Sequence, residues 1–193
     1  MPKVSALDEM IRANRANWDE RVGVHLGPGG YDLSDLRAGH GRLSTIEEAE
    51  LPPLRGKRVL HLQCHFGADT LTLAQRGAKV VGLDFSIRAI EAARNLANEL
   101  GLTGRAIFVH ADVYDGVEAI PPPHGFDLVF VTWGAICWLP DIPRWAQSSQ
   151  RCSGPADRST SPTATPPPTC SMTTTARPTG CQAYSRPIFR GSR

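Results

Sequence analysis

Apolar and polar positions recur with two periods between residues 57 and 134, and the change of period separates predicted strands from predicted helices. Short apolar runs predict four strands at RVLHL, KVVGLD, AIFVHAD and FDLVFVTWG. Between them, ADTLTLAQR (68–76) and IRAIEAARNLANELG (87–101) show helical spacing, with Ser86 as N-cap of the second helix. Alternating strands and helices predict an α/β fold, a doubly wound and mostly parallel sheet covered on both faces.

The first 53 residues are predicted to be an N-terminal helix and a lid-like lead-in. Apolar side chains at helical spacing between residues 5 and 22 predict an amphipathic helix. Residues 23–53 are rich in glycine and acidic residues and end in Pro52 and Pro53, which predicts a loop-dominated segment. The core of the domain is then expected over residues 54–146.

Composition changes abruptly after Ala146. Residues 148–193 contain eight Ser, eight Thr and seven Pro but no Leu, Val or Trp, so they lack the side chains that build a core. We therefore expect residues 147–193 to be a disordered tail. It is either a natural extension or the product of a reading-frame change that truncates the domain, and the Ser/Thr/Pro/Arg-rich composition favours the second origin.

Charge, hydropathy and cysteine content limit the kinds of partner and the location that we expect for the protein. The net charge is +2, but six arginines and one aspartate lie in residues 148–193, outside any predicted folded element, so we expect no nucleic-acid partner. No apolar run approaches the roughly 18 residues of a membrane span, and no leader pattern opens the chain, so we expect no membrane partner. Five cysteines without a CxxC pair predict no metal site and a cytoplasmic location.

The turn after the first strand is a candidate ligand site, because ligands of such sheets bind beyond the carboxyl ends of the strands. It reads HLQCHFGADT, with one glycine, Gly67. A dinucleotide fingerprint set on this turn would need glycines at 63, 65 and 68, where the chain has Gln63, His65 and Ala68. These departures weaken a nicotinamide or flavin interpretation.

Two acids end the next two predicted strands. Asp84 follows Leu62 by 22 residues, where a carboxylate can accept hydrogen bonds from the ribose hydroxyls of an adenosine. Its alternative role is to cap the turn at Ser86. Asp112, at the end of the third strand, either reaches the exocyclic amine of an adenine or forms a turn.

The segments VLHLQCHFGADTLTLAQRGAKVVGLDFS, VHADVYD and FDLVFVTWGAICWLPD resemble class I S-adenosylmethionine-dependent methyltransferases, especially a branch with LQCHFG-DT at the turn. The resemblance covers residues 14–146 and implies S-adenosylmethionine as cofactor and methyl transfer to an unidentified small-molecule acceptor. The family continues after the fourth strand with a helix, a fifth strand and an antiparallel pair. The sequence after the fourth strand shows no pattern for any of these elements, so we expect the fourth strand to keep an unpaired apolar edge.

The resemblance also implies a cofactor site. The backbone of the turn would cradle the methionine part, Asp84 would hold the ribose and Phe85 would flank the adenine. His61 stands where most class I enzymes keep an acid. The implied cofactor residues are Gln63, Cys64, His65, Phe66, Gly67, Asp84, Phe85, Ala111, Asp112, Val113 and Thr132, with Trp133 beside Thr132 facing the sulfonium and acceptor.

The sequence identifies no catalytic residue and no oligomeric state. His65 or His25 could act as a base or be structural. Trp18, Tyr31 and Trp138 could stack on an acceptor or sulfonium or pack in the core. Two further functions stay open: an inactive remnant that still binds adenosine, and a nicotinamide-dependent oxidoreductase, for which Asp84 would serve equally well.

Overall fold

The computed structural model describes residues 6–123, 125–132, 134–152 and 172–174. Its centre is a parallel sheet whose strands, in chain order, are β1 (Arg58–Leu62), β2 (Lys79–Asp84), β3 (Ala106–His110), β4 (Leu128–Val131) and β5 (Met172–Thr174). Across the sheet they lie in the order β3-β2-β1-β4-β5. The predicted α/β class and parallel, doubly wound architecture are confirmed.

Seven α-helices surround the sheet in the described part of the chain, and a short 3₁₀ helix follows β4 at Ile136–Trp138. The α-helices are α1 (Ala6–Leu26), α2 (Ser34–Arg37), α3 (Thr45–Glu50), α4 (Ala68–Gln75), α5 (Ile87–Glu99), α6 (Gly116–Ala119) and α7 (Ile142–Cys152). The N-cap predicted for α5 is present, because the hydroxyl of Ser86 accepts the Ala89 backbone N–H at 3.1 Å.

The alternation of side chains along β1 divides the core into two apolar layers. Val59 packs in one layer with side chains of α4 and α5, such as Leu71 and Ile90. Leu60 packs in the other layer, which includes Trp145 of α7. Because β1, β2 and β4 are buried on both faces, their sequences are nearly continuous apolar runs, whereas β3 at the sheet edge exposes Ile107 and His110.

The lead-in is more helical than its composition predicts. Residues 23–53 contain α2 and α3, and α3 begins with a capping box in which Ser44 Oγ accepts the Glu47 N–H and the Glu47 carboxylate accepts the Ser44 N–H. Leu36 and Leu43 of this segment are buried in the core layer that holds α4. These helices are too short to show a helical period, which is why the pattern indicated loop.

The region after β4 also differs from expectation. Helix α7 runs past Ala146 to Cys152, so the change in composition does not mark the end of ordered structure. β5 pairs with β4, with Met172 opposite Val129, and the expectation of an unpaired β4 edge is wrong. The division into residues 1–53, 54–146 and 147–193 and the reading-frame change stay predictions, and residues 153–171 and 175–193 lie outside the described part.

Among the described residues, no helix combines the length and apolar character that a membrane crossing requires.

Candidate cofactor and acceptor site

A cleft of about 200 Å³ opens at the carboxyl ends of the strands, where the strand order reverses beside β1. Its walls come from the turn after β1, the end of β2, the segments after β3 and β4, and α1. Ten predicted cofactor residues line it: Gln63, Cys64, His65, Phe66, Gly67, Asp84, Phe85, Asp112, Val113 and Thr132. Ala111 instead packs against the apolar layer of α7, and Trp133 lies outside the described residues.

The turn after β1 has the left-handed backbone of a glycine-rich loop but only one glycine, Gly67. Gln63 and His65 have φ of 56° and 51°, and Gly67 has φ of 80°. Such values cost a residue with a Cβ on the order of 1 kcal/mol each. The Cys64 N–H donates to Leu83 O at 3.0 Å and Gln63 Nε2 donates to Ala135 O at 2.9 Å, so hydrogen bonds hold the shape that glycines would otherwise permit.

Gly67 is needed for close packing as well as for its backbone angle. A Cβ there would lie 2.6 Å from Cε1 of Phe108 on β3, and one at Gly82 of β2 would lie 2.8 Å from Cδ1 of the same ring. The two glycines therefore let Phe108 pack against the turn and the sheet. The cleft floor is fixed by this contact.

Asp84 ends β2 inside the cleft and is 5% exposed. One carboxylate oxygen accepts the His65 N–H and the other accepts the Ser86 N–H, both at 2.8 Å. Burial raises the pKa of Asp84 to about 6, against these hydrogen bonds, which lower it. The turn-capping role is thus present, and since a carboxylate has about four acceptor positions, others stay available for ribose hydroxyls.

The end of β3 adds a second acid and a cation. Asp112 Oδ1 accepts the Tyr114 N–H at 3.0 Å, which is the turn-forming role that the sequence left open. Its other oxygen lies 3.8 Å from Arg15 Nη2 of α1, and the Arg15 guanidinium lies 5.7 Å from the centre of the Phe85 ring. Helix α1 therefore covers the part of the cleft where an adenine was expected.

His61 does not reach the cleft. It is 1% exposed, its Nδ1 lies 2.8 Å from Thr70 Oγ1, and its ring packs edge-on to Phe130 at 4.9 Å between centroids. Burial lowers its pKa to about 3, so the ring is neutral. In the part of the chain that is described, no three His, Cys, Asp or Glu side chains are grouped to hold a metal ion.

Aromatic rings from four segments form the remaining wall of the cleft. His65 packs edge-on against Trp18 and His25 of α1, at 5.3 and 5.0 Å between centroids. Trp18 also contacts Trp138 at 5.4 Å, and Tyr31 contacts His25 at 5.1 Å. The five residues for which the sequence left a ligand contact or a structural role open are thus brought together by α1, and we name them the ring wall.

Both histidines of the ring wall are neutral, and each has a buried ring nitrogen without a hydrogen-bond partner among the described residues. The pKa of His65 is lowered to about 3, mainly by burial and further by the charges of His25 and Arg21. The pKa of His25 is also lowered, again mainly by burial and further by the charge of Arg21. His65 Nε2 and His25 Nδ1 are buried without a hydrogen-bond partner among the described residues, as is Gln63 Oε1. Buried polar atoms are normally satisfied, so these atoms favour a ligand or water in the cleft.

Asp69 is a cleft residue to which sequence reasoning gave no role. It lies in the first turn of α4 and lines the cleft beside Gly67 and Ala68. Burial, and after it the charge of Glu47, raises the pKa of Asp69 to about 7. Its position two residues after Gly67, at the start of α4, is the sequence signal that could have placed it at the cleft.

The family of the chain is shown by comparison with known proteins. The family described as "Methyltransferase domain" matches residues 59–155, just over half of the chain. The chain belongs to this family, and its fold is that of the class I S-adenosylmethionine-dependent methyltransferases.

Individual relatives differ in acceptor. The 23S rRNA (uracil(1939)-C(5))-methyltransferase RlmD of Nitrosospira multiformis is 38% identical over 65 residues, 34% of this chain and 15% of that protein. The demethylmenaquinone methyltransferase of Clavibacter sepedonicus is 32% identical over 108 residues, 54% of this chain and 41% of that protein. The chain therefore spans less than half the length of these curated relatives.

A solved structure from work on the conversion of a disulfide bond into a thioacetal group during echinomycin biosynthesis is also similar. It is 28% identical, with a TM-score of 0.52, and the match covers 73% of this chain and 57% of that one.

The expectation that nucleic acid is not a partner is wrong, because three curated relatives are rRNA methyltransferases. That expectation relied on the distribution of arginines along the sequence. Acceptor choice depends instead on the site and on segments added to the common fold, which charge counting does not report.

Proposed function

We propose that this chain binds S-adenosylmethionine in the cleft and transfers its methyl group to a small-molecule acceptor. The observation that carries the proposal is Asp84, a buried carboxylate at the end of β2, in the cleft at the strand-order reversal. A carboxylate in this position suits the paired hydroxyls of a ribose.

The other cleft residues fit the same cofactor. The left-handed backbone at Gln63 and His65 leaves the turn open to the methionine part, as glycines would. Phe85 and Val113 supply apolar contacts for an adenine, and Asp112 has an oxygen that can accept from its amine. This assignment also replaces the nicotinamide alternative, because the family is one of methyltransferases.

The ring wall supports a small acceptor. Its rings, joined at 5.0–5.4 Å between centroids, form a closely packed side of the cleft and leave it room for a compact, planar or apolar molecule. Two similar proteins also point to small molecules: one is named a demethylmenaquinone methyltransferase, and the other was solved in work on echinomycin biosynthesis.

When bound, S-adenosylmethionine supplies an electrophilic methyl group on a sulfonium. The contribution of the protein is orientation of the two reactants and exclusion of water. Trp18 and Trp138 would cover the reacting centre from the α1 side. His65 and His25, being neutral, would accept hydrogen bonds from an O–H or N–H of the acceptor and so fix which atom faces the methyl group.

A nucleic-acid base is the second candidate acceptor, favoured by the rRNA methyltransferases among the relatives. A base would enter the same cleft and stack on the ring wall, which suits any aromatic heterocycle. The two candidates differ in where the transferred methyl group is found.

The test uses the full chain and methyl-labelled S-adenosylmethionine, incubated separately with a metabolite extract and with total RNA. We expect label in the metabolite fraction and its loss in Asp84→Asn. Label in RNA alone would replace the small-molecule proposal with the second candidate. Binding of S-adenosylhomocysteine without any transfer would show an inactive remnant.

A further inference from the structure

The charged side chains of the cleft are all acidic and lie away from the ring wall. Among the described residues that line the cleft, Asp69, Asp84 and Asp112 carry charge, and none is a Lys or an Arg. The ring wall adds no charge, because His25 and His65 are neutral. A carboxylate or phosphate on the acceptor would therefore be buried there without a partner of opposite charge, which is costly.

Arg21 of α1 is a cation next to the ring wall, but it is not among the residues that line the cleft. Its guanidinium lies 5.7 Å from the centre of the Trp18 ring, and its Nε donates to Asn17 Oδ1 at 3.2 Å. Burial lowers the pKa of both His25 and His65, and the charge of Arg21 lowers it further. Arg21 thus helps to keep the ring wall neutral.

The ring wall nevertheless contains polar atoms that need a partner. His25 Nδ1 and His65 Nε2 are buried without a hydrogen-bond partner among the described residues. A neutral imidazole has one N–H and one bare nitrogen. A hydroxyl group both donates and accepts, so it can satisfy either nitrogen in either tautomer, whereas a carboxylate only accepts and an ammonium only donates.

The rings of the wall suit a flat aromatic partner. Trp18 meets Trp138 edge-on, at 5.4 Å between centroids and 80° between planes, and it lies 6.3 Å from His25. One small ring can therefore reach all three side chains. Trp138 and Tyr31 line the cleft but are 39% and 61% exposed, so a ligand packed against them would cover apolar surface that is now open to solvent.

We propose that the acceptor is an uncharged aromatic ring with a hydroxyl group, which packs on Trp18 and Trp138 while its hydroxyl group binds His25. The inference rests on the proposed function and names the class of its acceptor. The hydroxyl contact would fix the rotation of the ring on the wall, and thereby which of its atoms faces the methyl donor.

Three probes separate the contributions of ring, hydroxyl group and charge. Indole, 5-hydroxyindole and indole-5-carboxylate share the same bicyclic ring and the same N–H. Each is titrated calorimetrically into the full chain saturated with S-adenosylhomocysteine. We expect 5-hydroxyindole to bind about tenfold more tightly than indole, and indole-5-carboxylate to bind at least about tenfold more weakly than indole.

Two variants assign these preferences to residues. His25→Phe keeps an aromatic ring and removes both nitrogens, so it should bind indole like the parent chain and lose the roughly tenfold preference for 5-hydroxyindole. Trp18→Leu should weaken indole and 5-hydroxyindole by the same factor. The matched control is His40→Phe, at an exposed position between α2 and α3, which should keep the preference of the parent chain.

Equal binding of indole and 5-hydroxyindole to the parent chain, tightest binding of indole-5-carboxylate, or no binding of any probe would overturn the inference, whether or not the variants fold. A preference for 5-hydroxyindole that persists in folded His25→Phe would overturn it as well. The proposed function survives these results as long as S-adenosylhomocysteine binds. Failure of the parent chain to bind S-adenosylhomocysteine would overturn both.

Discussion

The two ends of the cleft differ in how their polar groups are satisfied. At the adenosine end, Asp84 already accepts two backbone N–H groups and Asp112 accepts one. At the methionine and acceptor end, Gln63 Oε1, His65 Nε2 and His25 Nδ1 are buried without partners among the described residues, and at the adenosine end the same holds for Arg15 Nε. The two acids of the first end thus already hold hydrogen bonds within the protein, whereas the second end has three buried atoms that a ligand or water can satisfy.

This difference follows from where the residues come from. The adenosine end is built on the ends of β2 and β3, which the sheet holds in register. The other end combines the turn after β1 with α1 and Tyr31 of the lead-in. Changes in side-chain packing on the sheet should therefore affect folding, and changes at the lead-in end should mainly affect ligand binding.

The largest expected effect is on folding, at Gly67. Gly67→Ala should lower the free energy of unfolding by about 3 kcal/mol, because the new Cβ would overlap Phe108 and the residue would keep φ at 80°. Gly101→Ala is the matched control, since its φ is 65° but its surroundings are open. Urea unfolding should show a loss of about 1 kcal/mol for the control. Similar losses for both variants would mean that packing against Phe108 does not fix the turn.

An effect of intermediate size on the free energy of unfolding is expected at Asp69, and its size depends on pH. Its pKa is raised from 3.8 to about 7, so the folded state holds a proton that the unfolded chain has released, and the stabilisation from this proton is lost as pH rises from about 4 to 7. Without ligand, Asp69→Asn should raise the free energy of unfolding at pH 8 by about 2 kcal/mol, about half of what the full pKa change would give, because Asp69 is only partly buried. At pH 4 the change should be small. Urea unfolding at both pH values checks this, and destabilisation at pH 8 would contradict it.

The smallest expected effect is at the cap of α3. Ser44→Ala removes the hydroxyl that accepts the Glu47 N–H and should cost about 1 kcal/mol in thermal unfolding. An unchanged melting temperature for Ser44→Ala would contradict this role of the cap.

The strands of the core follow closely from sequence, because a strand buried on both faces is an apolar run with clear limits. β1 and β2 have the predicted bounds, RVLHL and KVVGLD. The helices of the lead-in and the pairing of β5 do not follow, since α2 has four residues and β5 has three, and tertiary contacts rather than local periodicity determine them.

The sequence predicts a site residue well when its position relative to a strand end is enough to suggest its chemistry. Asp84 lies in the cleft, as its place at a strand end predicts, whereas for Trp18, Tyr31 and Trp138 the sequence left stacking on a ligand or packing in the core open. No role could be assigned to Asp69, because its place in the cleft depends on tertiary packing that no local spacing encodes. The roles of all these residues in binding remain predictions.

The central claim is that Asp84 binds the ribose of an adenosyl cofactor, and calorimetric titration of Asp84→Asn with S-adenosylhomocysteine at pH 7.5 tests it most directly. We predict binding about 100-fold weaker than for the parent chain, while Asp115→Asn, which alters an exposed acid, binds like the parent. Circular dichroism establishes that both variants are folded. An unchanged dissociation constant for folded Asp84→Asn would contradict the account.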